Sequence, residues 1–563
     1  MFFERFKPLL LSAFLASQIL AESTPLSTTL VNLSYGSFEG QESGNLVEFL
    51  GLPYAAPPVG KLRFEPPTDP IQEAEFTEGL PIPRAANISE DCLYLNVIKP
   101  ANIPEGEKLP VLVYIHGSGF ILGHTGQARG DTLVRRSIEL GVPVILVTTA
   151  YRLNAFGFLG GKESSFAIYI PNWPLERFAL QWIQKHIAQF GGNPENVKIW
   201  GVSAGAISVA MHMLLDDGNE NGSFHGGVME AGSPLVLPDI VNQQRHFDAL
   251  VAHTNCTDAP DRLECLRDAP YEALVEGVKN SSTIPSYEGL KLTWQPMVDG
   301  NLIVRDPQLS VKMGKFSNIP IITGCTEDEG TLFSLIMTNI TCENSFLTLE
   351  IDDSHSFTTR NNAEFLKSNY FNEISDKDLK ALEIAYPDDV TQGSPFNTGT
   401  ANVFSPQYKR LAAFQGDLAF QATRRFFSTI ASKRQPVYGF RYMRRRPDAA
   451  PHLGVDHGSD FPEFMALVSD TGLIAADTLI YFTNNGDPNA PQDSISLLRN
   501  TKWDTYDTST ENPPVFTFID PPPSVNITFD TYRADAMKLL NKLSLKEIGR
   551  FDLAWTFGAR YAM

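Results

Sequence analysis

Apolar positions along the chain fall into short runs bounded by glycine- and proline-containing turns, and helical spacing follows several of these runs. One unit is unusually complete. Gly191, Gly192, Asn193 and Pro194 give a turn, and Val197 and Ile199 mark a short apolar strand after it. The next five residues are Gly201-Val202-Ser203-Ala204-Gly205. A helical pattern follows at once in Ala206, Ile207, Val209, Ala210, Met211, Met213 and Leu214. Ile319 to Gly324 is a second apolar run ending in glycine. Val437, Tyr438, Gly439, Phe440 and Tyr442 form a third, and Ala179-Leu180-Gln181-Trp182 begins a helix.

Strand, Gly-x-Ser-x-Gly and helix together are the context of a nucleophile elbow. The turn is so sharp that a side chain at Gly201 or Gly205 would collide with the neighbouring element. It holds Ser203 Oγ out at the end of the sheet. The helix N-terminus beneath it offers free N–H groups to a developing oxyanion. A serine at neutral pH needs a base to take its proton, so an acid and a histidine should follow in the order Ser, Asp/Glu, His. Seven histidines lie after Ser203. His212 is inside the elbow helix and too near in sequence to swing back. His457 sits on a loop past the 437–442 run, with Asp460, Phe461, Glu463 and Phe464 after it, and His452 is its local competitor. For the acid, Cys325-Thr326-Glu327-Asp328-Glu329-Gly330 follows the 319–324 run. Glu327 reads as part of a solvated turn. Gly330 and an apolar helix start place Glu329 at the strand tip, where it can orient imidazole.

These residues, with others spread along the chain, resemble the type-B carboxylesterase/lipase family, which includes the cholinesterases and many secreted fungal esterases and lipases. The matching stretches are Gly51 to Gly60 with Leu62-Arg63-Phe64, Glu90 to Val97, and Val113 to Phe120. Further matches are Tyr151 to Asn154 with Phe156 to Leu159, Phe190 to Gly205, Glu329-Gly330, His457-Gly458, and Gly486 to Asn489 with Trp503 and Tyr506. The resemblance implies an α/β-hydrolase fold with a large, mostly parallel central sheet, helices on both faces and long insertions. It implies a catalytic triad of Ser203, Glu329 and His457. It places the oxyanion hole at the backbone N–H groups of Ser118, Gly119 and Ala204, and a disulfide at Cys256–Cys265. The family usually has three consecutive glycines where this chain has Gly117-Ser118-Gly119. The residue before the nucleophile is commonly Glu and is Val202 here, which removes a charge that would favour cationic substrates. The family's Gly-Leu-x-Asp-Gln run is replaced at Asn172 to Phe178, and the 161–178 region reads either as divergence or as a gene-model error.

Composition narrows the partners. Length alone would suggest several domains of ~150 residues, but candidate site residues at 203, 329 and 457 draw on most of the chain. One domain over 22–563 is expected. A formal charge of −20 argues against nucleic acid. The arginines from Arg441 to Arg446 read as a solvated strand end. Residues 1–21 read as a signal peptide, with Arg5 and Lys7 before the apolar stretch Leu9 to Leu20 and Ala21 at the cleavage point; that stretch is too short and interrupted for stable membrane insertion. Seven glycosylation sequons support a secreted, extracellular protein: Asn32, Asn87, Asn221, Asn255, Asn280, Asn339 and Asn526. Of five cysteines, Cys92 reads as a buried free thiol, and Cys325 and Cys342 could pair. No Cys/His cluster has metal-ligand spacing, so neither metal nor cofactor is expected. The expected partner is a small-molecule ester, cleaved through an acyl-enzyme on Ser203. A short, proline-rich stretch before Cys92 favours an esterase over a lipase with a mobile lid. A triacylglycerol or sterol-ester lipase is the alternative within the class. A non-catalytic adhesion or scaffold protein is the alternative outside it, though such members typically lose the serine. The sequence leaves oligomeric state and acyl-chain preference open.

Overall fold

A computed structural model describes residues 29–71, 77–78, 88–163, 173–284, 286, 289–337, 340–341, 360–468 and 471–558. The leader, Asn87, Asn339, Cys342 and the proline-rich stretch at 79–87 lie outside the described residues, as do residues 164–172 of the divergent segment.

Eleven strands form one sheet: β1 (Gln41–Ser43), β2 (Leu46–Pro53), β3 (Tyr94–Pro100), β4 (Leu109–Ile115), β5 (Ile145–Thr149), β6 (Gly192–Val202), β7 (Gly227–Glu230), β8 (Ile321–Thr326), β9 (Val437–Tyr442), β10 (Pro514–Phe518) and β11 (Val525–Phe529). Their spatial order is β11-β10-β9-β8-β7-β6-β4-β5-β3-β2-β1. From β5 through β10 all neighbours are parallel, and antiparallel pairs occur only towards the two edges. The strands are apolar without interruption because both faces are covered. In β4, Val111, Val113 and Ile115 enter one core while Leu112 and Tyr114 enter the other. The elbow helix (Ala204–Leu214) seals the first face with Ala206, Val209, Ala210 and Met213. The helix Ile474–Asn485 seals the second with Ala475, Leu479 and Phe482. Each such fully buried large apolar side chain contributes roughly 1.5–3 kcal/mol over leaving it in water.

The strand leading to the elbow is longer than expected. It begins at Gly192 because that residue bridges to Leu109, before the register settles at Val111–Val197. Cys256 and Cys265 are disulfide-bonded, as the resemblance implied. Cys92 and Cys325 are free thiols, and burial pushes Cys92 up to about 12. Arg63 explains why two distant motifs travel together. Its guanidinium grips Glu90 at 2.5 and 2.7 Å and also donates to the carbonyls of Leu266, Arg267 and Ala269 beside the disulfide loop.

Two readings of charged runs are corrected. Of the arginines from 441 to 446, Arg445 is exposed, but the other three do not form a solvated end. Arg441 pairs with Glu327 at 2.6 Å and lies over the Tyr532 ring, Arg444 is buried against Glu463, and Arg446 meets Asp456 at 3.0 Å. Glu327 is therefore buried and ion-paired rather than solvated. Asp328 is buried too and accepts from the Ser394 hydroxyl and from the amides of Phe396 and Val455. Burial raises its carboxyl to about 6 against those bonds.

Candidate active site

The elbow forms between β6 and its helix. Ser203 stands at φ 57°, ψ −123°, a conformation that costs about 1–3 kcal/mol in a residue with a Cβ. The residues two positions to either side must be glycine. A Cβ on Gly201 would lie 2.3 Å from the Gly205 carbonyl carbon, and one on Gly205 would lie 2.0 Å from the Ile115 carbonyl oxygen. The Ser203 N–H is tied to the Glu230 carbonyl on β7 at 2.8 Å.

Glu329 and His457 are brought together from loops 128 residues apart in sequence. Parallel β8 and β9 end side by side, and an isolated bridge between Asp328 and Asp456 extends their register into the two loops. Glu329 Oε2 is 2.5 Å from His457 Nδ1, and its Oε1 accepts the Thr326 N–H at 2.6 Å. Gly330 is required behind it, since a Cβ there would meet the Ala412 carbonyl oxygen at 1.9 Å. Phe333 and Phe420 pack on the imidazole with centroids 5.1 and 4.7 Å away. His457 Nε2 is buried and has no hydrogen-bond partner among the described residues, so no bond joins it to Ser203 Oγ in this state. Such a bond commonly tightens only when substrate is bound. His452 is occupied elsewhere, with its ring 5.1 Å from that of Phe404.

The loop after β4 carries Ser118 at φ 74° and Gly119 at φ 63°. A left-handed serine costs about 1–2 kcal/mol that glycine avoids. Ser118 is held by its carbonyl, which accepts from Ile121 and Leu122 N–H. Among the described residues, nothing accepts from the amides of Ser118, Gly119 or Ala204. The loop is braced by residues that follow β5. Tyr151 donates to the His116 carbonyl at 2.8 Å, and the Asn154 side chain donates to the Ile121 carbonyl at 2.9 Å. His116 stacks on Tyr151 at 4.3 Å, and burial lowers its imidazole to about 4, so it stays neutral.

Residues the sequence reading passed over complete the surroundings. Glu176 is buried and bonds Ser208 Oγ at 3.1 Å and His212 Nε2 at 2.8 Å, pinning the elbow helix to the helix Trp173–His186. It lies inside the divergent run at 172–178, so an acid survives there although the motif does not. Ala231, Phe333 and Phe420 form a small apolar cluster flanked by Ile284 and Leu290. Ile284 lies so close to Gly119 that a Cβ there would be 2.4 Å from it. Among the described residues no group of His, Cys, Asp and Glu could hold a metal, and no helix is long and apolar enough to cross a membrane.

Sheet, elbow and loop order define an α/β-hydrolase. Residues 27–535 match the carboxylesterase family. The chain belongs to that family and is a carboxylic ester hydrolase. It is similar to a secreted triacylglycerol lipase of Gibberella zeae, 33% identical over 511 residues covering 83% of each chain. It is also similar to a secreted lipase of Botryotinia fuckeliana, 36% identical over 491 residues covering 79% of this chain and 82% of the relative. Among solved structures, a PNB esterase superposes with a TM-score of 0.71 at 25% identity, over 91% of this chain and 100% of its own. EstA of Aspergillus niger shares the fold, with a TM-score of 0.75 at 24% identity over 92% and 98%.

Proposed function

We propose that residues 22–563 are one secreted serine esterase domain acting through an acyl-enzyme on Ser203. The observation that carries this is the 2.5 Å Glu329–His457 contact, together with a serine held at a strained elbow. With Nδ1 engaged by Glu329, Nε2 is the atom left to take the Ser203 proton. Ser203 Oγ attacks the ester carbonyl, and the amides of Ser118, Gly119 and Ala204 receive the oxyanion. His457 then protonates the leaving alcohol, and a water activated by the same imidazole releases the acid. Each oxyanion donor is worth about 3 kcal/mol in the transition state. The uncharged surroundings of Ala231, Ile284, Leu290, Phe333 and Phe420 favour a neutral ester with an apolar acyl or alkyl group. Secretion is supported by the basic and apolar leader and by the exposure of all five described sequon asparagines: Asn32, Asn221, Asn255, Asn280 and Asn526.

The test is an acyl-chain-length series of p-nitrophenyl esters with emulsified triglyceride as the last member. A p-nitrophenol burst followed by steady turnover supports the acyl-enzyme, and no burst at any chain length under rapid mixing counts against it. The named activity of the Gibberella relative favours triacylglycerol hydrolysis as a second reading. A rate that climbs once the triglyceride forms an interface would select it over the esterase.

A further inference from the structure

Three consecutive residues after β4 have positive φ: Ser118 at 74°, Gly119 at 63° and Phe120 at 61°. They make a single left-handed turn, in which the Ser118 carbonyl accepts from the N–H groups of Ile121 at 3.2 Å and Leu122 at 3.3 Å. The N–H groups of Ser118, Gly119 and Phe120 open that turn, and none of them donates to a described residue. Within the run Gly117-Ser118-Gly119 the outer two positions are crowded. A Cβ on Gly117 would lie 2.6 Å from the Val202 carbonyl oxygen and 3.1 Å from Ser203 Cβ, so the loop runs directly against the nucleophile. A Cβ on Gly119 would lie 2.4 Å from Ile284 Cδ1.

The middle position does carry a side chain, although glycine would suit its backbone better. That side chain ends in a hydroxyl. It is half-buried and makes no hydrogen bond to a described residue. The loop thus holds a strained serine, with an unused O–H donor, one residue from the glycine that touches the nucleophile. Covalent geometry limits where this donor acts. In either gauche rotamer a serine Oγ stands about 3 Å from its own backbone nitrogen, so one acceptor can receive both the N–H and the O–H.

We infer that the Ser118 hydroxyl is a further catalytic group, giving the oxyanion a fourth hydrogen bond beside the amides of Ser118, Gly119 and Ala204. This rests on the acyl-enzyme and the oxyanion hole proposed above. As Ser203 Oγ bonds to the ester carbon, the π pair moves onto the carbonyl oxygen and the Ser203 proton passes to His457 Nε2. The Ser118 O–H donates to that oxygen and keeps its proton. On collapse the pair returns to the C–O bond, the bond to the leaving alkoxide breaks, and the alkoxide takes the proton from His457. The hydroxyl serves again when water attacks the acyl-enzyme. Because the oxygen carries full charge only in the tetrahedral species, the added bond raises kcat and leaves KM nearly alone.

The experiment compares two variants with the wild type on p-nitrophenyl butyrate. Ser118→Ala keeps the Cβ and removes the hydroxyl, whereas Ser118→Gly removes both and relieves the backbone. Each is expected to lose about tenfold or more in kcat with KM little changed. Ser118→Gly is expected to melt no lower than the wild type, so activity and stability part company. A trifluoromethyl ketone analogue of the ester, which adds Ser203 as an anionic hemiketal, should bind both variants more weakly by the factor lost in kcat/KM. Wild-type kcat in Ser118→Ala overturns the inference. So does a Ser118→Gly faster than the wild type, because the side chain then only narrows the site. Should Ser118→Ala not fold, the ketone with Ser118→Gly decides, and undiminished affinity overturns the inference. Failure of the underlying reading shows separately, as hydrolysis that survives in Ser203→Ala.

Discussion

Ser203 is a residue whose backbone and side chain are fixed by different parts of the molecule. Its N–H belongs to β7 through Glu230, and its strain is enforced by two glycines. The proposed base is marked out the same way, by what each histidine touches. His457 meets Glu329, whereas His452 packs on Phe404. His457→Gln is therefore expected to lose about 10⁴-fold or more in kcat, and His452→Gln to keep most activity. Steady-state rates with one soluble ester check both, and the opposite ranking would move the base to His452. At Val202 the expectation concerns charge. Glu230 stands opposite it in the sheet register, and burial raises that carboxyl well above the ordinary carboxylate range. A bound cation gains little there. A carboxylate at ~5 Å and an effective dielectric near 20 would have been worth roughly 3 kcal/mol. Butyrylcholine should be no better a substrate than 3,3-dimethylbutyl butyrate at low salt, and a tenfold preference for the cation in kcat/KM would refute this.

Among the elements, β6, the elbow and its helix are the most tightly determined. Gly205→Ala places a Cβ against the Ile115 carbonyl on β4, where backbone cannot yield. The expected result is a loss of several kcal/mol or no soluble protein, read by thermal unfolding, whereas a wild-type melting curve would show that the elbow can relax. This unit was legible in the sequence because everything that specifies it is local: turn, strand, two glycines and a helical repeat within a few dozen residues. Glu329 and His457 were legible for a related reason, since each follows an apolar run directly. Arg441, Arg444, Arg446 and Glu327 read as solvated from the sequence because their partners lie on other elements or loops, and a charge run carries no sign of a distant complement. Glu176 was obscured by its unfamiliar surroundings. Glu230 closes an otherwise apolar strand, which is the one local hint that its carboxyl is buried.

The far end of the sheet is joined to the helical insertions by a buried charge cluster. Asp530, just after β11, receives Arg424 at 2.8 and 3.0 Å, Arg425 at 2.7 Å and the Tyr506 hydroxyl at 2.8 Å. Burial alone would raise its carboxyl, but the two guanidiniums hold it well below the usual carboxylate range. Removing one partner of such a set strands the others, and Asp530→Asn is expected to cost about 3–5 kcal/mol. A depressed carboxylate stabilises the fold above its unfolded pKa and loses that contribution as pH falls through the folded value. The gap between wild type and Asp530→Asn in denaturant unfolding should thus be full near neutral pH and narrow below about pH 4. A gap that persists undiminished in acid would show that packing, not charge, is what the substitution removes.

All three scales converge on one serine. The most direct measurement is covalent labelling of the full-length protein with an organophosphate, with residual ester hydrolysis, intact mass and peptide mapping followed together. The account predicts one adduct per chain, located on Ser203, with activity lost in step with labelling and no labelling in Ser203→Ala. An adduct on a different serine, or hydrolysis that continues with Ser203 fully modified, would contradict it.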